Sequence, residues 1–295
     1  MIIKVPSNVR SRYDGYKGFT ETFHLGTQAF HKRIVIDFQD VYFFDANLCA
    51  LLGAYIEIFR KQNNSVSIIN LRSSVSEIFR KNLFLNEFNE NPIDDIHSTC
   101  IKYRKFHPSE ENAFKAYVKN ELLGKNDFPS HSMMLGQKII ENIFELYENA
   151  RTHGECDIIH TCGQYFPRLE SKPLKFTIVD RGINIKENVS RYLNREIGGM
   201  EAIDWAMQKG NTTKSGSIPG GLGLDIIFQF IKLNDGKIQI ISSDGFWEYK
   251  KQHINKQKLA HSFEGTMANL EFNLNDKCHY YMADEQETTN FENIF

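Results

Sequence analysis

The run Phe144-Glu145-Leu146-Tyr147-Glu148-Asn149-Ala150-Arg151-Thr152-His153-Gly154 decides how the rest of this 295-residue chain is read. Glu145 and Asn149 stand four residues apart, so on a helix they share one face, and Glu141 joins them. Around them Ile139, Ile140, Ile143, Phe144, Leu146 and Tyr147 recur at helical spacing, which predicts a long helix over 132–152 with an apolar stripe toward a core. The polar face has two readings. It is a solvated helix side, or it is a site in which Glu145 serves as general base on water or a hydroxyl. In the second reading Asn149 offers a neutral oxygen to a Mg²⁺ whose other ligands are phosphates and water. Asn in a buried helix interior needs partners for its amide. Glu148 is expected to point away, into solvent.

Two glycine-bearing segments follow. Asp180-Arg181-Gly182 comes directly after the apparent strand Lys175-Phe176-Thr177-Ile178-Val179. A carboxylate at a strand end can accept a hydrogen bond from an exocyclic amine such as that of adenine, and Gly182 lets a base lie close to the backbone; a plain strand-ending turn is the other reading. Further on, Gly220-Gly221-Leu222-Gly223-Leu224 opens a helix over 224–233 that Asn234-Asp235-Gly236 ends. Glycines allow a tight turn and close approach, and unpaired N–H groups at a helix N-terminus attract phosphate. The chain has no G-x-x-x-x-G-K-[ST], which excludes a P-loop, and the glycine segment does not follow a strand in a Rossmann unit.

Taken in order, these segments resemble the GHKL ATPases, the fold shared by histidine kinases, gyrase, Hsp90 and MutL. Glu145-x-x-x-Asn149-Ala150-x-x-His153-Gly154 resembles the N box in the form used by anti-sigma-factor serine kinases. Asp180-x-Gly182 resembles the G1 box, Gly220 to Leu224 the G2 box, and Gly265-Thr266 the late Gly-Thr that begins a closing strand. Gly210-Asn211-Thr212-Thr213-Lys214 resembles a segment of the ATP lid. The resemblance implies an α/β sandwich with a mixed sheet over 129–275 and a site for ATP and Mg²⁺. It implies that Asp180 reads adenine, that Asn149 holds Mg²⁺, and that the backbone of Gly221 to Leu224 cradles phosphate. Gly182, Asn184, Thr213, Gly220 and Thr266 complete the expected nucleotide-binding set, with Glu145 catalytic. Asn184 stands where the family has a second glycine, and Asn tolerates left-handed backbone better than most residues.

Toward the N-terminus, Ile34-Val35-Ile36-Asp37, then Phe43-Phe44-Asp45-Ala46-Asn47-Leu48 and a helix over 46–61, resemble a STAS domain, the anti-sigma-factor antagonist fold. Asp45 or Asn47 is a candidate cap for that helix. The family's loop after the Asp carries a phosphorylatable hydroxyl. Ala46, Asn47 and Leu48 offer none, so a docking or structural module is expected rather than an internal phospho-switch. The expected organisation is a STAS-like domain over 1–92, a helical linker over 93–128, the ATP-binding domain over 129–275 and an acidic tail over 276–295.

Composition sets the outer limits. The chain is 41% hydrophobic and 24% charged with a net charge of −2, so electrostatics give no reason to expect a nucleic-acid partner. Five cysteines without a C-x-x-C pair read as reduced thiols, and Cys156, His160 and Cys162 fit no common zinc spacing. No apolar run reaches the roughly 18–20 residues that span a bilayer, and the first residues lack a signal peptide's apolar core, so a cytoplasmic protein is expected. The function expected is that of an ATP-binding regulator in a bacterial partner-switching circuit, acting on a separate STAS-like or sigma-factor-like protein as a serine/threonine kinase or anti-sigma-like factor. The alternatives are an ATP-hydrolysing switch whose lid closure drives homodimerisation, and a module that holds ATP without turnover. A sensor histidine kinase fits less well, because neither His107 nor His131 sits in a His-Glu helix pattern.

Overall fold

A computed structural model of the protein describes residues 1–152, 156–208, 211 and 224–285. The first third of the chain runs through β1 (Ile2–Lys4), β2 (Asn8–Val9), α1 (Tyr13–His24), β3 (Arg33–Asp37), β4 (Phe43–Phe44), α2 (Cys49–Lys61), β5 (Ser65–Ile69) and α3 (Ser73–Lys81). β3 lies between β1 and β5 and is parallel to both. The crossover from β3 to β5 passes through α2, as parallel neighbours require. α2 is buried from Cys49 through Ile56 without a solvent face, the mark of a helix covered on all sides. Neither expected residue caps it. Asp45 instead accepts from Ser11 N at 2.7 Å and pairs with Lys175 Nζ at 2.7 Å.

The remainder comprises β6 (Cys100–Phe106), α4 (Glu111–Tyr117), β7 (Ser130–His131), α5 (Met133–Thr152), β8 (Ile159–Tyr165), β9 (Pro173–Asp180), α6 (Ile185–Leu193), α7 (Gly199–Met207), α8 (Asp225–Leu233), β10 (Lys237–Lys250), β11 (His253–Asn273) and β12 (His279–Tyr280). A five-stranded sheet of order β10-β11-β9-β8-β6 organises it, and the α/β sandwich class holds. Parallel and antiparallel pairings are both present but segregate. Where a mixed sheet is expected, the four pairings of this large sheet are antiparallel, because β8–β9 and β10–β11 follow one another through short connections that only antiparallel neighbours allow. β6 falls in the stretch expected to link the two parts and forms the sheet's edge. The sequence over 184–219 reads as irregular apart from a helix over 199–209, yet α6 forms within it. Its signal is local: Asn184 accepts from Glu187 N at 2.9 Å and donates to Glu187 Oε1 at 2.7 Å, a reciprocal N-terminal cap.

Strand alternation divides the large sheet into two faces. On one face Leu174, Phe176 and Ile178 of β9, Ala268, Leu270 and Phe272 of β11, and Ile238 and Ile240 of β10 pack under α5 and α8. On the other, Val179, Met267, Ile241 and Cys162 join the core of the N-terminal third. The alternation of Thr266 to Leu274 predicts a half-buried strand, yet Met267 and Asn269 are as buried as their neighbours, because α1 and the turn at Ala46–Leu48 cover that second face. The covered face is laid out in rows. Gln239, Asn269 and Thr177 are register partners across β10, β11 and β9. Asn47 reaches into this row: its Nδ2 lies 2.8 Å from Thr177 Oγ1, 3.1 Å from Asn269 Oδ1 and 3.0 Å from Ser11 Oγ. Tyr16 Oη and Asn269 Nδ2 both donate to Gln239 Oε1 at 2.9 Å. The next row carries Lys237, Glu271 and Lys175, with Lys237 bridging Glu271 at 2.8 Å.

A buried amide satisfied this way is costly to lose, since its partners are stranded without water. Asn47→Leu is expected to lower stability by about 2–3 kcal/mol. Urea unfolding followed by both far-UV circular dichroism and tryptophan fluorescence checks this. A loss under about 0.5 kcal/mol contradicts the role given to the network.

Candidate functional site

At one end of the large sheet three residues stand side by side on the face turned to the helices. Asp180 ends β9 and is the register partner of Thr266 on β11, which in turn pairs with Ser242 on β10. By alternation with Ile178, Ala268 and Ile240, all three side chains fall on the α5–α8 side. Ser242 Oγ accepts from Ile185 N at 2.8 Å, donates to Gly265 O at 3.0 Å, and lies 3.1 Å from Thr266 Oγ1. It thereby ties the first residue of α6 to the start of the closing strand segment. Gly265 has φ +110°. A Cβ there would lie 2.2 Å from Asp180 O and 2.8 Å from Arg181 Cα, so only glycine fits both the conformation and the space.

Asp180 itself is buried and its Oδ1 accepts from Gly182 N at 3.0 Å. Burial pushes its carboxyl up to about 6; the Gly182 and Thr266 N–H groups and Arg181 pull the other way. A carboxylate has about four lone-pair positions, so the bond to Gly182 leaves capacity for an amine donor. Asn184 lies in extended backbone at φ −79°, and the left-handed conformation invoked for it is not used. Its side chain is consumed by the α6 cap, and in this structure it holds the loop rather than facing the sheet end.

α5 supplies the second wall. It packs on both α8 and β9, with Ile139, Ile143, Leu146 and Tyr147 in the core. Glu145 and Asn149 are half-buried on it. Glu141 is taken out of the polar face by an exposed pair with Lys138 at 2.8 Å, and Glu148 is pinned by Arg151 at 2.6 Å rather than simply solvated. Asn142 does what sequence reading missed. Its Oδ1 accepts from Ile226 N at 2.9 Å and from Ile227 N at 3.0 Å, holding the first turn of α8 against α5. The signal was an Asn three residues before Glu145, on the same side of the helix.

The structure thus brings Asp180, Gly182 and Thr266 together at the sheet end, keeps Asn184 in the α6 cap, and places Glu145 and Asn149 on α5 and Leu224 at the N-cap of α8, the two helices packed over that face. Thr213, Gly220, Gly221, Leu222 and Gly223 lie outside the described residues, as do His153, Gly154, Gly210, Thr212 and Lys214. Among the described residues no group of three or more His, Cys, Asp or Glu is placed to hold a metal ion. His160 and Cys162 are packing residues. His160 Nδ1 lies 2.9 Å from Tyr103 Oη, and burial holds its ring neutral, with its pKa lowered to about 3. Among the described residues no helix is long and apolar enough to cross a membrane.

No protein-family model matches the sequence, and no curated protein matches it. Solved structures with some likeness include the histidine kinase domain of the blue-light-activated histidine kinase EL346 from Erythrobacter litoralis. That likeness has 12% identity and a TM-score of 0.26, over 78% of this chain and 88% of that one. A second is the ATP-binding domain of topoisomerase IV from Francisella tularensis, solved with a small-molecule inhibitor, at 12% identity and a TM-score of 0.26, over 64% of this chain and 48% of that one.

Asp180 gives a pH test of stability. Its pKa is raised in the folded state, so between about pH 4 and 6 the folded chain holds a proton that the unfolded chain releases, and stability falls as pH rises through that window. Asp180→Asn is therefore expected to be more stable than wild type by about 2–3 kcal/mol at pH 7.5 and no more stable at pH 4, read from denaturation midpoints at the two pH values. Equal midpoints at pH 7.5 contradict the buried, ionised carboxylate.

Proposed function

We propose that the chain binds ATP with Mg²⁺ between the end of the large sheet and helices α5 and α8, and works as a nucleotide-dependent regulator of a separate protein. The observation that carries this is Asp180: a buried carboxylate at a strand end, beside a Gly265 that admits no side chain, on the face that α5 and α8 cover. Burying a carboxylate is costly, and here desolvation outweighs the help of Arg181 and two N–H groups; such perturbed groups collect at functional sites. Ionised, Asp180 accepts the exocyclic amine of adenine, while Gly182 keeps the backbone flat beneath the ring. Asn149 supplies a neutral oxygen to Mg²⁺, which would neutralise phosphate charge when bound. The N-terminus of α8, with the Gly220–Leu224 segment before it, receives the phosphates. Glu145 takes the proton from an attacking hydroxyl as the γ-phosphoryl group passes from the β–γ bridging oxygen of ATP to that hydroxyl oxygen and ADP leaves.

In this reading the acceptor is a serine or threonine of a separate STAS-like or sigma-factor-like partner in a partner-switching circuit. The fate of the N-terminal third supports an acceptor elsewhere. Its Ala46-Asn47-Leu48 turn has no hydroxyl and is fully buried against the large sheet, so it serves as a fixed support for the sheet. In this reading the nucleotide-binding domain is the segment 129–275 with the edge strand β6 (Cys100–Phe106) added to it, acting in the cytoplasm.

Three substitutions separate the roles. Asp180→Asn abolishes ATP binding. Asn149→Ala removes the part of ATP affinity that depends on Mg²⁺, leaving the affinity seen with EDTA. Glu145→Ala binds ATP within about twofold of wild type and loses a factor of about 10² or more in phosphoryl transfer or hydrolysis. Calorimetric titration and γ-labelled ATP give both readouts. Loss of binding in Glu145→Ala would assign that residue to structure, and rapid phosphate release with no labelled protein would replace the kinase reading with an ATPase. Nucleotide-dependent dimerisation on a sizing column would favour the lid-closure switch.

A further inference from the structure

We infer that Asn142 is a positioning residue of the nucleotide site: a neutral cap, supplied from α5, that fixes the end of α8 and leaves its positive field to the phosphates. The inference rests on the ATP reading above and adds a residue to it.

The first N–H groups of a helix have no partner inside it. They are usually satisfied locally, by a Ser, Thr, Asp or Asn at the N-cap. α8 has Leu224 there, at φ −98° and ψ 10°, with no side-chain cap of its own. The acceptor comes from Asn142, 84 residues upstream, whose single Oδ1 takes the second and third helical N–H groups at 2.9 and 3.0 Å. Both lone pairs of that oxygen are then used. The cap exists only while α5 and α8 are docked, so the end of α8 cannot take its place without α5. At about 100° per residue, Asn142, Glu145 and Asn149 lie within about 60° of one another on α5. One helix face therefore carries the proposed base, the proposed Mg²⁺ ligand and the group that sets where the phosphate-binding helix begins. The separation between those functions is fixed by α5 itself.

The choice of an amide also matters. A helix N-terminus carries roughly half a positive charge that favours anions. Asn142 satisfies two N–H groups without adding charge, whereas an aspartate there would hold the same hydrogen bonds and cancel the field. Asp225, the acidic residue of the first turn, is exposed, and water screens it.

The test uses the full chain and two probes, MgATP and adenosine, by calorimetry, with thermal midpoints alongside. Asn142→Ala is expected to weaken MgATP by about fivefold or more and to leave adenosine within twofold, since adenosine engages only the Asp180 end. Asn142→Asp is expected to keep the wild-type midpoint and still weaken MgATP, by as much or more. A structural role alone would lower the midpoint and weaken both probes in proportion. The inference is overturned by that proportional loss, or by Asn142→Asp binding MgATP like wild type. Should Asn142→Ala not fold, the Asn142→Asp comparison decides. Wild type that binds neither probe overturns the ATP reading, and this inference with it; wild type that binds both, beside unchanged variants, overturns this inference alone.

Discussion

The register of β9 against β11 is the constraint on which the rest of the molecule depends. It sets Asp180 opposite Thr266 and Thr177 opposite Asn269. Because strand side chains alternate, a slip of one residue would exchange the two faces: Asp180 would turn toward the N-terminal third, and Thr177 would enter the apolar helix layer. The register is held from both sides. Below, the Asn47 amide recognises Thr177 and Asn269 together. Above, Gly265 lets the start of the strand segment pass within reach of Asp180 O, where a Cβ would meet it at 2.2 Å.

This makes the N-terminal third part of the apparatus. A sheet with one face on the helix layer and a polar second face would ordinarily leave Asn269, Gln239 and Thr177 to water. Here they are buried and satisfied by residues of the first 50 positions. Buried polar networks specify arrangement more than they stabilise it. The rows across β10, β11 and β9 run from charged to amide to apolar, so α1 and the 46–48 turn fit the sheet in one position only. The end of the sheet that carries Asp180 therefore sits on a support fixed from behind.

Much of this was legible in the sequence. The helix over 132–152, the strand before Asp180, the helix after Leu224 and the alternating strand after Gly265 are set by periodicity and capping signals that tertiary contacts leave intact. The two-sided burial of β11 was not legible, because its alternation of apolar with polar residues describes a solvated face as well as a face met by complementary amides. Long-range pairing hid two more features. β6 reads poorly as a strand, since Lys102, Arg104 and Lys105 lie among its apolar residues, and it joins the sheet through β8, more than fifty residues away. Asn142 looked like any polar residue on a helix, because its partners lie 84 and 85 positions further on. Asn184 is readable in principle, because the Asn-x-x-Glu pattern is a helix start.

The most direct test of the central claim is amide hydrogen exchange of the wild-type chain with and without MgATP. The account predicts slowed exchange at Asp180–Ile185 and at Leu224–Ile227, with α2 and β3 of the N-terminal third unchanged. Unchanged exchange at both of those segments at saturating MgATP, or protection confined to the N-terminal third, would contradict it.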